Sequence, residues 1–229
     1  MPSEPPFHPE HLRPIDYIIT PDPRSVGFAT LDEDTSEWRP LQLGDLHKAV
    51  SECVLSDAVP ESLRVHFDTA RNLYVYAFFV YRFYPVAEHH ALACLEFALR
   101  ERYQKEIPKI YYRDSKFLTL KQLLRYAVDK GDVRNEGFKR WHQAAAIKAK
   151  HRYMHEKSEE MLEQGLDQIE LDYTQVKVTD IDKNHGYIED IIKILPDIRN
   201  HYAHGSKMLH NSVLGTIQLV SEIINQIYK

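Results

Sequence analysis

Proline divides this chain into two unequal parts. Eight of its twelve prolines (Pro2, Pro5, Pro6, Pro9, Pro14, Pro21, Pro23 and Pro40) fall in the first 40 of its 229 residues. Each removes a backbone donor and restricts the residue before it, so no long helix can form there. Residues 1–42 therefore read as an extended, proline-rich arm. Within it, Ile15-Asp16-Tyr17-Ile18-Ile19 reads either as a short edge strand or as a segment draped over a helix.

From Leu43 onward the apolar spacing becomes helical, starting with Leu46, Ala49, Val50 and Cys53 to Leu55. Pro60, placed where a helix's first turn lacks partners anyway, opens a long helix expected to run through Val65, Ala70, Leu73, Tyr76, Ala77 and Val80 to about Tyr84, with Pro85 as its stop. A second helix from about Val86 carries Ala91, Cys94, Leu95, Ala98, Leu99 and Tyr103 on one stripe and ends before Pro108. Thr119 reads as the N-cap of a shorter helix (Leu120, Leu123, Leu124, Ala127) closed by Gly131. Residues 134–165 form another helical block, 169–178 read as irregular or as a short β segment, and two helices close the chain at about 187–203 and 210–228. Five to seven helices with short links imply an all-α, up-and-down helical bundle over residues 43–229.

The net charge of −5 provides no global basic footprint, so a polyanion site has to be local. That local candidate is the stretch from Lys139 to Lys157, where Lys139, Arg140, Lys148, Lys150, Arg152 and Lys157 stand against the single acid Glu156, interleaved with Trp141 and Tyr153. It reads as an RNA-tracking surface with an aromatic to stack on a base, or as a solvated helix face with Trp141 and Ile147 in the core. Cys53 and Cys94 lack CxxC spacing, which argues against a disulfide framework or a zinc knuckle and for a reducing cytoplasm. The first residues lack the basic start and apolar run of a secretory signal, and the longest apolar stretch, Leu73 to Tyr81, is too short to span a bilayer. No membrane partner is expected. Thirteen histidines include the cluster His201, His204 and His210 and the pair His151 and His155, but without an HExxH or interleaved carboxylates they predict no metal site and no cofactor.

The residues richest in chemistry are Ile198-Arg199-Asn200-His201-Tyr202-Ala203-His204-Gly205. An arginine offers phosphate oxygens a planar fork at any pH, and a histidine can pass protons near neutrality. On a regular helix Arg199 and His204 lie about 140° apart, whereas Asn200 and His204 share a face. Arg199 and His204 therefore meet only if the helix end loosens, the Arg reaches around, or a second copy supplies the facing group. The competing reading is a plain helix C-terminus, with cations near the last carbonyls and Gly205 just beyond.

This run resembles the R-x(4–6)-H motif of HEPN domains, in the form with Asn after the Arg and Ala-His-Gly at the end. Ala91-Leu92-Ala93-Cys94-Leu95-Glu96-Phe97-Ala98-Leu99-Arg100 is also similar to an early core helix of that family, with a Glu in an Ala/Leu-rich stripe. The resemblance implies an all-α bundle, usually a homodimer, and in catalytic members a metal-independent endoribonuclease. His204 is then base or acid, Arg199 the charge stabiliser, Asn200 a polar orienter and Glu96 the group that holds Arg199. Lys139, Arg140, Lys148, Lys150 and Arg152 would contact RNA. The implied setting is toxin-like, defence or RNA processing, with a separately encoded antitoxin or nucleotidyltransferase as partner. The alternatives are a non-catalytic HEPN protein that binds RNA or a nucleotide, and a helical protein-interaction module. Glu96 has its own local alternative, an i,i+4 pair with Arg100.

Overall fold

The computed structural model describes residues 7–32, 34–112, 117–205, 207 and 209–229; Pro2, Pro5 and Pro6 of the expected arm lie outside them. Among the described residues the helices are α1 (Leu43–Ser51), α2 (Glu61–Tyr76), α3 (Phe83–Tyr103), α4 (Leu120–Asp129), α5 (Lys139–Glu163), the single turn α6 (Asp180–Lys183), α7 (Tyr187–Ala203) and α8 (Leu214–Ile227). Two three-residue strands, β1 (Ala29–Leu31) and β2 (Trp38–Pro40), pair antiparallel with Thr30 opposite Arg39. The protein is an α-helical bundle with a small hairpin laid on it.

The bundle is organised around α3. Its buried residues run Tyr84, Ala87, Glu88, Ala91, Leu92, Cys94, Leu95, Ala98, Leu99, Tyr103, two adjacent stripes and not one, which is the pattern of a helix covered on several sides. It packs against α2, α8, α4 and α7. Thr119 caps α4 as its sequence implies: its hydroxyl accepts the Gln122 N–H, and the Gln122 side chain accepts the Thr119 N–H in return.

The boundary between α2 and α3 differs from the sequence expectation. Helix α2 ends at Tyr76, residues 77–82 turn, and Pro85 sits in the first turn of α3. Proline suits that place because first-turn N–H groups have no intrahelical acceptor, so Pro85 marks a beginning and not a stop. What holds the break open comes from the N-terminal segment. The fully buried Asp22 donates its N–H to the Phe78 carbonyl at 3.0 Å, and its carboxylate accepts the Tyr81 N–H at 3.1 Å. The same carboxylate accepts from Arg24 Nε and Nη2, both at 2.9 Å, and from Arg13 Nη2 at 3.3 Å.

Residues 7–42 are thus fastened to the bundle. Arg39 of β2 reaches Asp45 in the first turn of α1, with both contacts at 2.7 Å. The stretch Ile15–Ile19 forms no strand: Ile15–Tyr17 is a three-ten turn without a buried residue, and Ile15, Ile18 and Ile19 are exposed. Residues 169–178 are irregular apart from a three-ten turn at Tyr173–Gln175.

Burial alone would push the Asp22 carboxyl up, but hydrogen bonds from Arg24 and from the Tyr81 and Arg24 N–H groups outweigh it and hold it below the usual carboxylate range. A depressed folded value stabilises the fold above the unfolded pKa, and that stability is lost as pH falls through the depressed value. Asp22→Asn is expected to destabilise the protein by about 3–5 kcal/mol near neutrality. In urea titrations its deficit against the native chain should shrink in acid, below about pH 4. A deficit independent of pH would count against an ionised Asp22.

Candidate functional site

Glu88 and Glu96 stand eight residues apart on α3, about 12 Å along its axis. Arg199 and Tyr202 stand three apart in the last two turns of α7, on one side of that helix. The two pairs meet in reversed order: Arg199 goes to Glu96, and Tyr202 goes to Glu88. The end of α7 therefore lies antiparallel on α3, joined at two points.

At the first point, Glu96 Oε2 accepts from Arg199 Nε at 3.1 Å and pairs with Nη2 at 3.0 Å. Its other oxygen, Oε1, accepts from Arg100 Nη2 at 2.6 Å, and that nitrogen also donates to the Leu118 carbonyl at 2.6 Å. Both readings of Glu96 thus hold at once, since the carboxylate serves its i,i+4 neighbour and the motif arginine together. The Glu96 side chain is 14 % exposed and each arginine 35 %. Asn200 is exposed and accepts a long contact, 3.4 Å, from Arg199 Nη1.

At the second point, Glu88 is almost fully buried and both its oxygens are used. Oε2 accepts from the Tyr202 hydroxyl and Oε1 from the Thr216 hydroxyl of α8, each at 2.6 Å. His210 Nε2 lies 3.1 Å from the Tyr202 oxygen and 3.6 Å from Glu88 Oε2. Burial first, and then the bond to Glu88, pushes the Tyr202 phenol well above its ordinary value. One carboxylate on α3 thereby gathers α7, α8 and the link between them. The sequence alone gives Glu88 and Thr216 no role, and it presents Tyr202 and His210 only as part of the motif run and of a histidine cluster. A signal existed for the first of these, a second glutamate in the same apolar stripe as Glu96, because a buried carboxylate requires partners.

His204 occupies the C-cap of α7. Its N–H donates to the Asn200 carbonyl at 3.0 Å, and Gly205 follows with φ of 84°, the left-handed conformation that glycine adopts without strain. The helix stays regular through Ala203, so Arg199 turns toward α3 while the His204 side chain is exposed. Among the described residues, the His204 imidazole makes no hydrogen bond or ion pair, with Arg199 or any other group. Ser206 lies outside the described residues.

The basic helix α5 is 25 residues long, about 38 Å, yet buries only Trp141, Ala145 and Ala149. Trp141 is in the core, which removes it as a base-stacking group, whereas Ile147 is exposed, contrary to its expected place. Arg152 is engaged by Asp182 at 2.9 Å and by Glu156 at 3.2 Å. Lys148 and Lys150 are exposed, with Lys150 Nζ 5.8 Å from the Tyr173 ring centroid. The Lys139 N–H donates to Glu222 at 3.2 Å. Arg140 crosses the start of α8 so closely that a Cβ on Gly215 would come within 2.2 Å of its Nη2. This carries the basic end of α5 to within one residue of Thr216. Among the described residues, no three His, Cys, Asp or Glu side chains gather as metal ligands, and no helix is long and apolar enough to cross a membrane.

No protein-family model, no characterised protein and no solved structure matches the chain.

Tyr202→Phe removes a hydroxyl donated to a buried carboxylate, an interaction worth about 1.5–3 kcal/mol. Urea denaturation of this variant should show a loss of that size. Glu88→Ala should lose more, because it strands both hydroxyls. Native-like stability of Glu88→Ala would contradict a buried, fully partnered Glu88.

Proposed function

We propose that this protein is a HEPN-type, metal-independent endoribonuclease centred on Arg199 and His204 and acting as a homodimer. The observation that carries this reading is the Glu96–Arg199 pair. A carboxylate from the central helix fixes the motif arginine one helix away, leaving it a third exposed beside the open Asn200 and His204. A plain helix terminus does not call for such a brace.

In the proposed reaction a His204 imidazole takes the proton of a ribose 2′-hydroxyl. The freed oxygen attacks the adjacent phosphorus, and the bond from phosphorus to the 5′-oxygen breaks. Arg199 stabilises the extra negative charge of the phosphorane, and the protonated histidine of the second copy supplies the proton to the leaving oxygen. The products are a 2′,3′-cyclic phosphate and a 5′-hydroxyl. Two copies answer the geometry of the single chain, in which Arg199 turns inward and His204 outward: each histidine then works across the dimer, facing the arginine of the other copy. Lys148 and Lys150, exposed on α5, and Arg140, at the start of α5 and lying across the first turn of α8, supply the positive charge for an RNA backbone. The biological setting is RNA processing or a toxin-like defence role, in the cytoplasm, with an antitoxin or nucleotidyltransferase on a separate chain.

The test is cleavage of mixed single-stranded and structured RNA in EDTA, with folding matched by circular dichroism. His204→Ala should lower the rate about 10²–10⁴-fold and Arg199→Ala about 10²–10³-fold. Native product ends should be 2′,3′-cyclic phosphates. Cleavage unchanged by either substitution would refute the assignment, and RNA or nucleotide binding without turnover would make the protein a non-catalytic binder using the same groups.

A further inference from the structure

We propose that Arg100 and Arg199 together form a seat for one phosphate group, with Glu96 as the post that spaces them. The ligand, a phosphodiester of single-stranded RNA, rests on the reading above; the seat itself does not depend on cleavage.

The argument begins with donors. A guanidinium carries five N–H groups. Both hydrogens of Arg100 Nη2 are engaged, one by Glu96 Oε1 and one by the Leu118 carbonyl. Among the described residues, Arg100 Nε and Nη1 have no acceptor. Arg199 directs Nε and Nη2 at Glu96 Oε2 and offers Nη1 only the long contact with Asn200. Each arginine is held by one edge and open at another.

Charge gives the second step. Two guanidiniums on one carboxylate leave a surplus of one positive charge, in a chain whose net charge is −5. Partial burial, with Glu96 14 % and each arginine 35 % exposed, strengthens that field while leaving the arginines within reach of solvent. The two non-bridging oxygens of a phosphodiester can accept from the free edges of both guanidiniums at once. An i,i+4 pair of Glu96 with Arg100 alone would explain one arginine. Ordering a second long side chain from another helix on the same carboxylate is explained by a shared task. Arg100 thus becomes a binding residue for the phosphate, beside Arg199 on the shared Glu96 carboxylate.

Two measurements on the full chain test this. In the first, a fluorescent single-stranded 2′-O-methyl oligoribonucleotide, which lacks the attacking hydroxyl, is bound over a range of salt to the native protein, Arg100→Gln, Arg199→Gln and Arg100→Lys. Each Gln variant should weaken binding about tenfold and reduce the slope of log K against log salt by about 0.7. Arg100→Lys should keep the slope and lose part of the affinity, since it retains the charge but not the fork. In the second, inorganic phosphate at constant ionic strength is titrated while the arginine Nε–H signals are followed by NMR. Arg100 and Arg199 should shift together with one saturation curve. An Arg100→Gln variant with native slope and affinity, or an Arg100 signal unmoved by phosphate, would overturn the seat. Joint shifts with phosphate in a protein that binds no oligonucleotide would uphold the seat and remove the RNA reading.

Discussion

A carboxylate set in an apolar helix face must find donors or lose its charge, and α3 carries two of them. Glu88 and Glu96 meet this demand with groups from elsewhere in the chain, and the architecture around the site follows from where those groups lie. Tyr202 and Arg199 bring the end of α7 down on α3, and Thr216 brings the start of α8 to the same place. Apolar burial makes a bundle of these helices but leaves their axial positions loosely specified. Hydrogen bonds of 2.6 Å to a buried oxygen do not. Two short polar contacts thus set the register of helices whose mass of contact is apolar.

The two carboxylates do different work because they differ in exposure. Glu88, nearly sealed, is satisfied by hydroxyls and a nearby imidazole, an arrangement that fixes structure. Glu96, at the rim, is satisfied by two cations that keep donors to spare. Their spacing along α3 separates an anchoring point from a point open to chemistry.

Much of this was legible in the sequence where one physical rule acted alone. Helical spacing located α3, α4, α7 and α8, and Thr119 as an N-cap marked its helix start. The end of α2 was not legible, because Tyr76 to Tyr84 continues an apolar run and the residue that breaks it, Asp22, lies more than fifty positions away. Pro85 was visible, but proline fits a first turn as well as it ends a helix, and only tertiary contacts choose. For the site, a glutamate in an apolar stripe announced a need for partners without naming them. Glu96 has two candidate partners in the sequence, Arg100 and Arg199, and the structure uses both. Tyr202 passed unnoticed because a tyrosine inside a motif looks like packing until its hydroxyl is seen to meet a buried acid. Ile147 shows the limit of periodicity on α5: Trp141 lies in the core as the solvated-face reading has it, but a helix that buries so little gives its next apolar residue no reliable sense of direction.

The double fastening of Tyr202 and His210 has a consequence for the chain between them. Gly205 ends the helix and His210 is held beside the Tyr202 hydroxyl, so the chain is tied down at two points on its way from α7 to α8. Closing a loop whose ends are already held becomes harder only slowly with length, by about 0.6 kcal/mol for each doubling. Extra residues inserted between Gly205 and His210 would therefore cost the fold little. Such an insertion would reshape what the protein recognises beside His204, while Arg199 keeps its hold on Glu96 and Tyr202 and His210 keep theirs at Glu88.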